Sequence, residues 1–186
     1  LWEPELIYAS ARCSSAFRHG EINLAEDREG PPSRAYLKLW EALTRLGRHP
    51  QPGERCVDLG AAPGGWTWVI AKLGAQAIAI DKAALDPAVA AVPGVEQRRE
   101  SAFGLAPETI GPVDWLFSDI ICYPSRLLQL IERWRASGLA RNMVCTLKFQ
   151  AETDHESARA FAAIPGAQLF HLHHNKHELT WALLAP

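Results

Sequence analysis

The 186-residue chain carries 48% hydrophobic side chains and a formal net charge of -2, enough apolar material for one substantial core and too little length for a second full domain beside it. So small a net charge gives no overall attraction to polyanions, so contact with a nucleic acid needs a local basic patch or help from outside this chain. The longest apolar run falls well short of the roughly 18 to 20 residues that cross a bilayer, and no basic-then-apolar leader precedes the first helix-like segment, which predicts a soluble protein.

Residues 1–32 carry mixed signals and end in the turn-like DREGPP, which predicts an irregular arm ahead of a single domain over residues 33–186. The sequence opens on Leu1 and not on Met, which fits a fragment of a longer protein. Ser33 is a candidate cap for a helix over residues 34–46, where Tyr36, Leu37, Trp40, Leu43 and Leu46 fall at helical spacing and Gly47 supplies the stop. Beyond it, short apolar runs alternate with helical patterns: RCVDL then WTWVIAKL, QAIAI then ALDPAVAA, VEQRR, VDWLFS then SRLLQLIERWRA, and NMVCTLKF then HESARAFAAI. This alternation predicts an α/β fold whose parallel sheet carries helices on both faces. The end differs, because QLFHLHH and ELTWALL are joined by the short polar link NKH, which favours an antiparallel hairpin.

Four cysteines, Cys13, Cys56, Cys122 and Cys145, lack any C-x-x-C spacing, and three lie in or beside apolar runs where a thiol behaves as a small hydrophobe. The expected setting is a reducing cytoplasm, with no zinc site. The run HLHHNKHE brings His171, His173, His174 and His177 close in sequence, but no spaced cysteine or carboxylate accompanies them, and strand alternation sends His174 to the face opposite His171 and His173. The tryptophans read as core by default.

The stretch CVDLGAAPGGWTWVI holds the most specific signal. In a doubly wound sheet, ligands sit beyond the carboxyl ends of the strands, and the loop after the first strand is the usual cradle. Dinucleotide binders place G-x-G-x-x-G there so that a pyrophosphate rests on a helix N-terminus. Here the spacing is D-x-G-x-x-P-G-G, with Asp58 ahead of Gly60, Pro63, Gly64 and Gly65. An acid at that place opposes phosphate and suits a cationic or amino-bearing ligand. Asp81, ending the second strand, is placed to accept hydrogen bonds from ribose hydroxyls. Ribose, an ammonium and a sulfonium without phosphate describe S-adenosylmethionine. A plain tight turn is the alternative, but adjacent glycines after a proline exceed what a turn requires.

The motif DLGAAPGGWT resembles the cofactor loop of the FtsJ-like ribose 2'-O-methyltransferases. The likeness runs from PPSRAYLKLWEA through SDI and TLKF to the HEL of the last hairpin, over roughly residues 30–184. PPSR and GPVDWLFSDI are most similar to the bacterial members that methylate a cytidine ribose of large-subunit ribosomal RNA. The resemblance implies a Rossmann-like class I methyltransferase with a mostly parallel seven-stranded sheet and a terminal antiparallel hairpin. It also implies S-adenosyl-L-methionine as cofactor and RNA as substrate. Its Lys-Asp-Lys-Glu catalytic set falls on Lys38, Asp119, Lys148 and Glu178, with Asp119 also beside the cofactor and Trp66 packed near it. Each of these has a plainer reading in isolation; Lys38, for instance, could pair with Glu41 on an exposed helix face. An unperturbed lysine, with a pKa of about 10.4, stays protonated at neutral pH and accepts a proton only where its surroundings make the charge costly. The resemblance makes Lys148 the general base, or the group that orients the hydroxyl.

Two departures from the family pattern stand out. Where the family places an acid near the adenine, this chain reads RRESAF, with Ser101 at the matching position. The ribosomal RNA members also carry an N-terminal RNA-binding region, and none is visible here. Arg34, Arg98, Arg99 and Arg126 are then the candidate phosphate contacts, and a separate RNA-binding domain or partner is expected. The rival readings are methylation of another RNA, such as a tRNA or a cap, and a non-catalytic cofactor-binding module of an RNA assembly.

Overall fold

The computed structural model describes residues 10–12, 17 and 21–186. Half of the expected irregular arm lies outside these residues, and its described part, residues 10–12, 17 and 21–32, contains no helix or strand. Helix α1 (Tyr36–Leu46) precedes an alternating series: β1 (Arg55–Leu59), α2 (Gly65–Lys72), β2 (Gln76–Ile80), α3 (Pro87–Ala90), β3 (Val95–Arg98), α4 (Pro107–Ile110), β4 (Val113–Ser118), α5 (Pro124–Ser137), β5 (Ala140–Lys148), α6 (His155–Ala162), β6 (Ala167–Phe170) and β7 (Glu178–Leu183). The four-residue α4 was not expected from the sequence, since one turn offers no periodicity to read.

The strands form one seven-stranded sheet in the order β3-β2-β1-β4-β5-β7-β6. The pairs from β3 to β5 are parallel, while β7 runs antiparallel to both β5 and β6. The expected hairpin therefore forms, with its second arm inserted next to β5. Strand order reverses between β1 and β4, and such a reversal opens a crevice beyond the strands' carboxyl ends.

Alternation along the strands feeds two cores. On one face Val57, Leu59, Leu116 and Cys145 pack with Leu127, Ile131 and Trp134 of α5 and Phe161 of α6. On the other, Cys56, Phe117 and Val144 pack with Leu39, Ala42 and Leu43 of α1 and with Val69 and Ile70 of α2. Trp66, Trp115, Trp134 and Trp181 are all buried, as are the free thiols Cys56, Cys122 and Cys145. Cys13 lies outside the described residues. Among the described residues no helix is long and apolar enough to cross a membrane.

One expected cap does not form. Helix α1 starts at Tyr36 with Ala35 as its N-cap and no side-chain cap bond. The chain before it folds onto the glycine loop instead, so closely that a Cβ on Gly65 would stand 2.6 Å from Ser33 Oγ. Ser33 Oγ is left buried without a protein partner.

Gly60 fixes the other side of the loop. Its φ is 81°, a region L side chains rarely adopt, and an added Cβ would approach Ile120 Cα at 2.9 Å. Gly60→Ala is expected to lower stability by about 2 kcal/mol through this strain and contact. Urea unfolding measures it; an unchanged midpoint would mean that the segment around Ile120 yields freely.

Candidate active site

The loop leaving β1 borders a cavity of about 320 Å³ walled by Asp58, Gly60, Pro63, Gly65, Trp66, Asp81, Asp119 and Lys148, among others. Asp58 is buried; its Oδ2 accepts a 2.7 Å hydrogen bond from Thr67 Oγ1, while Oδ1 has no protein partner. Burial pushes its carboxyl up to about 7, against the opposing bond from Thr67. Asp81 is held in place by the Ala62 and Ala83 amides, at 3.1 and 2.9 Å. Trp66 donates from Nε1 to the Ala35 carbonyl at 2.9 Å, tying α2 to the start of α1. Gly64 sits behind the loop as the N-cap of α2, with φ 115°. Ser101 lies outside the lining of this cavity, in the turn where Gly104 N donates to its carbonyl.

The four charged residues separated in sequence meet. Lys38 Nζ, from the first turn of α1, lies 2.7 Å from Asp119 Oδ1 and 3.2 Å from Glu178 Oε1. Lys148 Nζ lies 3.2 Å from the same Asp119 oxygen and also donates to the Asp119 carbonyl. Sheet pairing explains the meeting: Asp119 directly follows β4, Lys148 ends the neighbouring β5, and Glu178 stands opposite Lys148 in the antiparallel register. Lys38 thus points into the site and not at solvent.

Lys148 also lines a second, larger cavity of about 760 Å³, which it shares with Lys38, Glu178, Arg34, Gln150 and residues 173–177. Ala35, Ile121 and Lys148 border both spaces, so the quartet stands at their junction. Ile121, 78% exposed, follows Asp119 at this mouth, and Tyr123, 64% exposed, comes two residues later as the N-cap of α5. Neither carries a signal in the sequence beyond its hydrophobicity.

Glu41 does not follow the plainer reading. It does not pair with Lys38 at the surface; it is buried, accepting from His173 N at 2.7 Å and His174 N at 3.0 Å, with His174 Nδ1 2.6 Å from its Oε2. β6 stops at Phe170, and His173 and His174 of the histidine run give their amides to Glu41 and not to a strand ladder. His177 contacts Thr153 Oγ1 at 3.0 Å and packs on Phe149, while His171 lies 3.2 Å from the Lys176 carbonyl. Among the described residues no three His, Cys, Asp or Glu side chains converge as metal ligands.

The candidate phosphate contacts scatter. Arg34 lines the larger cavity and pairs with Glu26 at 2.9 Å. Arg98 pairs with Glu96 at 2.6 Å, Arg99 reaches the Lys82 carbonyl, and Arg126 stacks over Phe103. Lys176, which sequence reasoning passed over, does line the larger cavity.

A family model described as FtsJ-like methyltransferase matches residues 31–156. The ribosomal RNA large subunit methyltransferase M of Halorhodospira halophila is 41% identical over 157 residues, covering 80% of this chain and 46% of that protein. Its namesake from Aromatoleum aromaticum is 34% identical over 164 residues, covering 80% and 44%. The chain therefore spans about half the length of the curated relatives it matches. Among solved structures, Aeropyrum pernix fibrillarin with natively bound S-adenosyl-L-methionine aligns with a TM-score of 0.57 at 18% identity, over 80% of this chain and 76% of that one. Magnesium protoporphyrin IX methyltransferase from Synechocystis with the same cofactor bound gives 0.58 at 12% identity, over 82% and 79%. The likeness to these two concerns the fold, the expected Rossmann-like methyltransferase architecture. With the family model covering most of the chain and its glycine loop, this protein belongs to the FtsJ-like methyltransferase family.

Proposed function

We propose that residues 33–186 form the catalytic domain of an S-adenosylmethionine-dependent RNA ribose 2'-O-methyltransferase acting on large-subunit ribosomal RNA in the cytoplasm. The observation that carries this reading is the convergence of Lys38, Asp119, Lys148 and Glu178 where the two cavities meet. A module that only held a cofactor would have no use for two lysines gathered on one carboxylate. The names of the relatives favour ribosomal RNA over a tRNA or a cap.

The smaller cavity fits the cofactor. Asp58 Oδ1, buried and unpartnered, suits an ammonium group, and Asp81, anchored by two amides, suits ribose hydroxyls. Gly60, Pro63, Gly64, Gly65 and Trp66 shape the cradle. Bound there, S-adenosylmethionine supplies a methyl group on a sulfonium that departs as a neutral thioether. In the larger cavity Lys148, acting as the neutral amine, would orient the ribose 2'-hydroxyl toward that methyl and take up its proton as the new O–CH3 bond forms and the S–CH3 bond breaks. Lys38, held between Asp119 and Glu178, keeps Asp119 in place for Lys148. Much of the acceleration then comes from alignment.

Three outcomes are expected. In calorimetry the chain binds S-adenosylmethionine or S-adenosylhomocysteine, and NADH does not compete. Because Asp58 titrates at about 7 when free and an ammonium ligand selects its ionised form, affinity rises as pH climbs through that value, with proton release on its acidic side. A flat pH profile, or Asp58→Asn retaining the slope, would remove Asp58 from ammonium binding. Secondly, Lys148→Ala lowers methyl transfer by at least about a hundredfold while cofactor affinity stays within about threefold; a variant that keeps most of its activity on its RNA shows that the base has been misassigned.

The third outcome follows from the net charge of -2. Neutralising several phosphates supplies much of the affinity of proteins that hold RNA by their own surface, so the chain alone is expected to hold unmodified ribosomal RNA poorly at physiological salt. A region outside these residues, or a partner, delivers the substrate. Tight filter binding that falls steeply with salt would contradict this.

A further inference from the structure

Helix α1 presents two side chains toward the site, Lys38 and, three residues on, Glu41, and this spacing puts both on one helix face. Lys38 reaches Asp119 and Glu178; Glu41 reaches the turn that links β6 to β7. Burying a carboxylate is costly unless it is well bonded. At 3% exposure, Glu41 meets that cost with two backbone amides and an imidazole nitrogen, all from His173 and His174.

What the clamp holds is a wall of the larger cavity. His173, His174, Asn175 and Lys176 line it, on the side opened by the turn, together with Arg34, Lys38 and Lys148. Among the described residues lining it, Glu178 is the only acidic one. Arg34, Lys38 and Lys148 are paired with Glu26, Asp119 and Glu178, and Lys176 adds a further cation to this wall, although the chain as a whole is net negative. An anionic chain suits such a cavity, and RNA flanking a ribose is one.

Resting on the function proposed above, we infer that Glu41 is a positioning residue for the RNA: it locks the 173–176 turn in the shape that receives the nucleotides beside the target ribose, with Lys176 as the phosphate contact on that turn. Both the turn and the reactive quartet are referred to one rigid helix. The clamp thereby fixes where the RNA backbone lies relative to Lys148. A merely structural tether would matter to stability and leave substrate affinity untouched.

Kinetics on unmodified large-subunit ribosomal RNA separate the two. Glu41→Gln places an amide group where an acceptor is needed, and it is expected to raise the KM for RNA about tenfold while kcat changes less than about threefold. Cofactor affinity, unchanged within about twofold, certifies that the variant is folded. Lys176→Ala is expected to raise KM on its own, yet to add little in the Glu41→Gln background, because the released turn no longer presents Lys176. Unchanged KM in Glu41→Gln, a loss confined to kcat, or full additivity of the two substitutions overturns the inference. RNA binding at low salt in the presence of S-adenosylhomocysteine reads the same two variants without needing transfer. Equal affinity for wild type and Glu41→Gln there overturns the inference even if the wild type proves inactive, an outcome that would itself count against the proposed reaction and not against the clamp.

Discussion

Two lysine side chains share one carboxylate oxygen: Asp119 Oδ1 stands 2.7 Å from Lys38 Nζ and 3.2 Å from Lys148 Nζ. Without that oxygen, two amino groups in a partly buried space would lose their shared partner, and neither would keep its place. Much of the architecture around it serves to put Asp119 there. Parallel pairing of β4 with β1 and β5 sets the height at which the strand ends, with Ser118 in register with Leu59 and Cys145. The segment after Ser118 then passes so close to Gly60 that no side chain fits between. The same glycine shapes the cradle loop, so both halves of the site are referred to one point of the backbone.

Much of this was legible in the sequence, for identifiable reasons. Strands buried on both faces, such as VDWLFS and NMVCTL, read as continuous apolar runs, and the helix over residues 36–46 shows its period openly. The acid-then-glycine spacing from Asp58 reports a backbone constraint, which is why it is specific. The quartet was visible only through the family resemblance, because each member alone reads as a solvated charge or a cap. Their meeting depends on strand order, which no local pattern encodes.

The misreadings share a cause. Ser33 has the identity of a cap, but its neighbourhood is set by Gly65, which lies far along the chain and leaves room for it. HLHH alternates like a strand, yet a buried carboxylate on α1 takes two of its amides, which would otherwise enter a ladder. In both cases a tertiary contact outbids a local preference whose worth is about 1 kcal/mol. Net charge is likewise a sum over the chain and does not describe how Arg34, Lys38, Lys148 and Lys176 gather around one cavity.

Strand β7 follows every other strand in chain order yet takes an interior place, between β5 and β6. During synthesis β5 is made well before its partner and presents an open edge of apolar residues, the kind of edge on which other chains can pair. When β7 enters, it closes that edge and in the same movement brings Glu178 opposite Lys148. Completion of the sheet and assembly of the charged quartet are thus a single event. A chain arrested before β7 would hold the glycine loop but lack Glu178 and with it the full set of charges.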